Sequence, residues 1–192
     1  MQVWGRKKCH FLKQKSYFLA YINFFLYFCI AKSANSMKRI LFSLFFVLLG
    51  LHCMAVLPEV TLRDVDGHEV NVADLGQSGK PVIISFFATW CKPCMRELTA
   101  INEVYADWQE ETGVEMYIVA TDQAQDIHKV KPLVDGNGWE YHVLLDPSGA
   151  FKRAMNVQSI PHMFVINSKG KIVYNHVGYT AGDEEEIPTY LR

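Results

Sequence analysis

Beyond residue 55 this sequence has almost no cysteine. Of five in all, Cys9, Cys29 and Cys53 fall in the first 55 residues, and only Cys91 and Cys94 follow. One pair cannot staple a disulfide-rich scaffold. It is also only half of a four-ligand zinc site. His68, His128, His142, His162 and His176 are scattered without ligand spacing, so they do not supply the other half. The first 55 residues lack acidic side chains altogether, yet hold eight of the nineteen Lys/Arg. The remainder therefore carries eleven Lys/Arg against twenty Asp/Glu, a net charge of −9. That balance argues against a nucleic-acid partner, which rewards basic patches. The apolar run Ile40 to Leu51 is twelve residues long, short of the roughly 20 that a membrane span needs. Repeats and low-complexity segments are missing beyond residue 55.

What is present in residues 1–55 reads as a leader. Met37-Lys38-Arg39, the apolar run after it, and Cys53-Met54-Ala55 have the order of a secretory signal: basic start, short apolar core, small cleavage site. Met37 then reads as the true start, with residues 1–36 translated upstream sequence and 37–55 a signal cleaved after Ala55. Two other readings stand beside it. The leader stays uncleaved and tethers the chain to a membrane, or it is lipidated at Cys53, although His52 is larger than the residue such signals prefer. Each of them places residues 56–192 outside the cytoplasm: periplasmic, secreted, or anchored to the inner membrane. That stretch is long enough for one domain with its own core.

Along 56–192, Val60-Thr61-Leu62 and Val70-Asn71-Val72 alternate as strands around the turn Asp64-Val65-Asp66-Gly67. Pro81 to Ala88 is apolar throughout, as a strand buried on both faces tends to be. Leu98, Ile101, Tyr105 and Trp108 recur at helical spacing and predict a helix that stops at Gly113. Val114 to Thr121 predicts a strand, Gln125 to Asp135 a helix, Tyr141 to Leu145 a strand, and Phe151 to Met155 a short helix. Met163–Ile166 and Lys171–Val177 predict a hairpin. Asp183 to Glu186 suits a helix start, but Pro188 sits badly for a long helix. Strand, helix and strand followed by a hairpin describe a three-layer α/β plan with a mixed sheet.

The chain turns on Ser85-Phe86-Phe87-Ala88-Thr89-Trp90-Cys91-Lys92-Pro93-Cys94. A C-x-x-C between a strand and a helix is the context of redox chemistry rather than metal binding. Cys91 falls at a helix start, where unpaired N–H groups and the dipole favour a thiolate, the nucleophilic form. Lys92 adds positive charge nearby. Pro93 fits a first helical turn, where its missing N–H costs nothing.

This stretch resembles the thioredoxin superfamily, and FFATWCKPCMRE resembles its TlpA/ResA-like branch of membrane-anchored or periplasmic thiol–disulfide oxidoreductases. Ser159-Ile160-Pro161-His162-Met163-Phe164-Val165-Ile166 is similar to the loop in which that superfamily carries a cis-proline before a strand. The likeness spans about Leu57 to Gly178. It implies a thioredoxin-like three-layer sandwich with a mixed central sheet, extended here by an N-terminal β-hairpin. It implies Cys91 as the attacking thiol, exposed at the helix start, and Cys94 as the resolving one. Protein thiols and disulfides are then the substrates, a membrane or periplasmic protein supplies electrons, and no cofactor is needed beyond a Cys91–Cys94 disulfide. A reducing role follows by analogy.

Glu97 lies one helical turn after Cys94, so its carboxyl is expected partly buried near the sulfurs, with a raised pKa suited to proton transfer. The resemblance gives a glutamate there a part in tuning the cysteines or moving their protons; alternatively it only stabilises the helix start. Ser85 stands where minimal thioredoxins have a buried aspartate, and is expected to bond to backbone. Trp90 shapes the site's rim or packs in the core. Ile160 and Pro161 present a backbone edge to an incoming peptide, or simply begin a strand. His162 is expected packed or on the surface rather than on a metal. Two rivals remain. A peroxiredoxin-like thiol peroxidase needs a lone peroxidatic cysteine after a proline-and-threonine loop, and Thr89-Trp90 precedes Cys91 instead. The other is a non-enzymatic metal or assembly partner, which metal titration of the reduced Cys91–Cys94 pair would distinguish.

Overall fold

A computed structural model describes residues 57–192. The expectations for residues 1–55 lie outside the described residues. Seven strands make one sheet: β1 (Thr61–Asp64), β2 (Glu69–Asn71), β3 (Val82–Phe87), β4 (Glu115–Ala120), β5 (His142–Leu145), β6 (His162–Ile166) and β7 (Ile172–Val177). Their order is β2-β1-β5-β4-β3-β6-β7. β3, β4 and β5 run parallel, while β6, β7 and the β1–β2 hairpin pair antiparallel. The sheet is therefore mixed, with the hairpin added at one edge.

Side-chain alternation splits β3 between two cores. Val82, Ile84 and Phe86 point into one apolar cluster, and Ile83 and Phe87 into the other. Both are fully buried, which is why the strand reads as apolar without alternation. Helix α1 (Lys92–Thr112) covers the second face with Leu98, Ile101, Tyr105 and Trp108. Burial of Leu98 and of Ile101 stabilises the fold by about 1.5–3 kcal/mol each. Helix α2 (Val130–Asn137) lies on the same face through Val130 and Val134. Helix α3 (Ala150–Ala154) covers the opposite face with Phe151, 5.0 Å from Phe86 ring to ring. The sandwich thus has three layers, as the sequence pattern implies.

Two elements differ from expectation. α2 starts at Val130 rather than Gln125, with a 3₁₀ turn over Ile127–Lys129 before it. Pro132 is the reason: proline fits the first turn of a helix but not its interior. The acidic run Asp183–Glu186 forms a 3₁₀ turn, and Pro188 opens a short helix α4 (Pro188–Leu191) instead of ending one. Ile187 and Leu191 from this tail pack into the α1 face. No helix among the described residues is long and apolar enough to cross a membrane.

Candidate active site

β3 ends at Phe87, and a turn closed by the Cys91 N–H on the Ala88 carbonyl (3.0 Å) leads into α1. Cys91 is the helix N-cap, and Pro93 lies in the first turn. The Cys94 N–H donates to Cys91 Sγ at 3.3 Å, so the sulfur occupies the place where orphaned helix donors converge. Cys91 and Cys94 are joined as a disulfide, S–S 2.02 Å and Cα–Cα 5.3 Å. Cys91 keeps 4% of its surface and Cys94 none, so the exposed thiol expected at the helix start is nearly covered. Capping its own helix and bonding to Cys94 both turn the Cys91 sulfur inward. Lys92 and Pro93 are exposed, and Trp90 is 71% exposed, so it does not pack in the core.

Asp122 was not singled out from the sequence, yet it holds this turn. Its buried carboxylate accepts the Thr89 N–H at 2.9 Å and the Thr89 hydroxyl at 2.6 Å. The neighbouring Thr121 N–H donates to the Phe87 carbonyl at 2.8 Å. The segment before Cys91 is thereby tied to the end of β4. The available signal was an aspartate directly after an apolar strand parallel to β3.

Glu97 is 3% exposed, more deeply buried than expected. Ser85 shares the parity of Ile83 and Phe87, so its hydroxyl faces α1 and donates to Glu97 Oε2 at 2.8 Å. The expected backbone bond of Ser85 is replaced by this one. Burial pushes the Glu97 carboxyl up to about 7; the Ser85 bond opposes the rise and the Asp183 charge adds to it. A carboxyl at that value gives and takes protons at neutral pH. Beside it is a small cleft of about 10 Å³, walled in part by Met163, His176, Asp183 and Ile187.

The Ile160–Pro161 peptide is cis. Ile160 is half-buried and packs against the cluster that contains both cysteines. The Pro161 carbonyl accepts the Gly178 N–H at 2.9 Å, which ties the loop to the end of β7. His162 lies on the other face of the sheet, stacked on Phe164 at 4.5 Å, its Nε2 2.6 Å from Asn175 Oδ1. It is a packed residue. Among the described residues no group of three His, Cys, Asp or Glu is placed to hold a metal ion.

A family model described as AhpC/TSA matches residues 55–175. The chain belongs to the AhpC/TSA family. Within that family it is ResA-like. It is 32% identical over 135 residues to the thiol-disulfide oxidoreductase ResA of Bacillus anthracis, covering 70% of this chain and 74% of that one. Two solved structures carry the same fold. One is an uncharacterized thioredoxin-like protein from Porphyromonas gingivalis: TM-score 0.64, 59% identity, 72% of this chain and 91% of that one. The other is a thiol:disulfide interchange protein from Chlorobium tepidum: TM-score 0.59, 28% identity, 71% and 96%.

Proposed function

We propose that this chain is an exported thiol–disulfide oxidoreductase that reduces disulfides of other exported proteins. The observation that carries the reading is the Cys91–Cys94 disulfide at the start of α1, in a chain of ResA-like sequence. In the reduced enzyme the Cys91 thiolate attacks a substrate disulfide. One substrate sulfur leaves as a thiolate, and a mixed disulfide forms on Cys91. Cys94 then gives up its proton, attacks Cys91 Sγ, and expels the second substrate thiolate. Two electrons pass from the enzyme dithiol to the substrate, and both substrate thiolates are protonated. Glu97 receives the Cys94 proton. Trp90, Ile160 and Pro161 receive the substrate peptide, while Lys92 and Pro93 tune the couple. A membrane or periplasmic thiol protein returns the electrons, and residues 1–55 direct export, as cleaved signal or retained anchor.

A peroxidase reading finds no lone cysteine among the described residues, since the two sulfurs there are three residues apart and bonded to each other. The test uses single substitutions. Cys94→Ser should accumulate mixed disulfides through Cys91, visible on non-reducing gels, while Cys91→Ser should accumulate none and lose insulin-disulfide reduction. Trapping by Cys91→Ser instead would reverse the two roles. Peroxide consumption by the wild type matching its disulfide reduction would favour the peroxidase.

A further inference from the structure

Resolution of the mixed disulfide leaves a proton on Glu97, and a residue 3% exposed cannot hand it to bulk water directly. Its way out must cross the adjoining cleft, which holds room for about one water molecule. Ile101, Met163 and Ile187 supply apolar wall and cannot carry a proton. The titratable groups facing the cleft are Tyr174 and His176 from β7, and Tyr179, Asp183 and Glu184 from the tail. Tyr179 donates its hydroxyl to Glu184 at 3.0 Å and is pushed up to about 12 by burial and by that carboxylate. Tyr174 is raised by burial and by acidic neighbours including Glu186 and Asp183. Tyr141, which feels the Glu97 charge from the residue before β5, is raised chiefly by burial and spends its hydroxyl on the Leu98 carbonyl at 2.8 Å. These phenols stay protonated at neutral pH. The Glu184 Oε2 that accepts Tyr179 also accepts the Gly182 N–H at 3.1 Å.

His176 and Asp183 differ from the rest. His176 Nε2 lies 3.2 Å from Asp183 Oδ2, and their side chains are 37% and 30% exposed. The pair lines the cleft and also meets solvent. Imidazole is the side chain suited to taking a proton from one side and giving it up on the other near neutral pH. We propose that His176, held by Asp183, is the outlet through which Glu97 exchanges its proton with solvent during the resolving step. The inference rests on the role given to Glu97 above. The proton leaves Cys94 Sγ for Glu97, passes across the cleft to His176, and reaches water. The electron pair left on Cys94 forms the new S–S bond, and the substrate thiolate takes its own proton from solvent.

The reduced full-length chain, with Cys9, Cys29 and Cys53 replaced by serine, reports the two steps separately when mixed with dithiobis-nitrobenzoate. Cys91 attack releases one nitrothiobenzoate, and Cys94 resolution releases the second. In His176→Ala and in Asp183→Asn the first release should keep its wild-type rate. The second should slow roughly tenfold, less than the 10²-fold or more typical of losing an acid–base group itself. Added imidazole should restore the second release in His176→Ala. A wild-type second release in either variant, or a slowed one in His176→Ala that imidazole leaves unchanged, overturns the outlet. Glu97→Gln separates the two readings: it should slow the second release with no rescue by imidazole. Should Glu97→Gln resolve as the wild type does, the role of Glu97 itself falls, and the outlet with it.

Discussion

At the scale of single residues, Glu97 carries a stability signature as well as a chemical one. Its carboxyl ionises near 7 in the folded protein and near 4.5 when free. Between those values the folded state holds a proton that the unfolded state has lost, so stability falls as pH rises through this window. Below about 4.5 both states are protonated and nothing is lost. Above about 7 the loss levels off at about 3 kcal/mol. Glu97→Gln keeps an oxygen for the Ser85 hydroxyl and removes the ionisation. Urea unfolding of the oxidised protein at pH 5 and pH 8 should therefore show the variant gaining about 2.5 kcal/mol on the wild type at the higher pH. Equal pH dependence in the two proteins would place the carboxyl in water. The sequence offset of three from Cys94 is enough to put Glu97 on the buried side of α1 with it. It is not enough to show the depth of burial, because part of the cover is Ile187 and Asp183, brought back by the tail from the far end of the chain. Asp122 escaped for the same reason: its partner Thr89 is 33 residues away, and a lone aspartate after a strand has many ordinary uses.

At the scale of elements, α1 shows how much local signals decide. The apolar stripe, Pro93 in the first turn and Gly113 at the end fixed its span from sequence, because each acts within a few residues of itself. Gly113 closes the helix in the left-handed region, φ 69°, with its N–H on the Gln109 carbonyl at 2.9 Å. A Cβ added there would meet nothing within 4 Å, so Gly113→Ala tests conformation without a clash. The substitution should destabilise the protein by about 1 kcal/mol in urea unfolding with an unchanged m-value, and leave the redox couple as it was. A cost near zero would mean that the last turn unwinds freely at no loss. α2 and the tail are less legible. Pro132 sets where α2 can begin, and an interior proline weighs against a long helix without saying which side of it survives. The acidic run takes a 3₁₀ turn because the next residues must carry Ile187 and Leu191 into the α1 core, a demand from packing rather than propensity.

At the scale of the whole molecule the couple and the fold are linked. The difference in unfolding free energy between the oxidised and reduced protein equals the difference in reduction potential between the unfolded and folded chain, scaled by two electrons. Closing a loop as short as Cys91 to Cys94 restrains the unfolded chain by about 2 kcal/mol in the chain-entropy model. The folded protein opposes this only if it favours the free thiolate. Cys91 does sit among helix-start donors, which pull toward the thiolate. But Cys94 is fully buried, and Glu97 beside it carries a negative charge once ionised, so both burden a second thiolate. The net expectation is an oxidised form more stable by about 2 kcal/mol, equivalent to a folded potential about 40 mV more negative than that of the unfolded chain. That is the sign required of a reductant, since a protein that prefers its disulfide passes electrons on. Parallel urea titrations of oxidised and fully reduced protein at pH 7 measure it without a substrate or donor. A reduced form the more stable of the two would make the same Cys91–Cys94 pair an oxidant, as stabilisation of the dithiol drives electrons toward the enzyme.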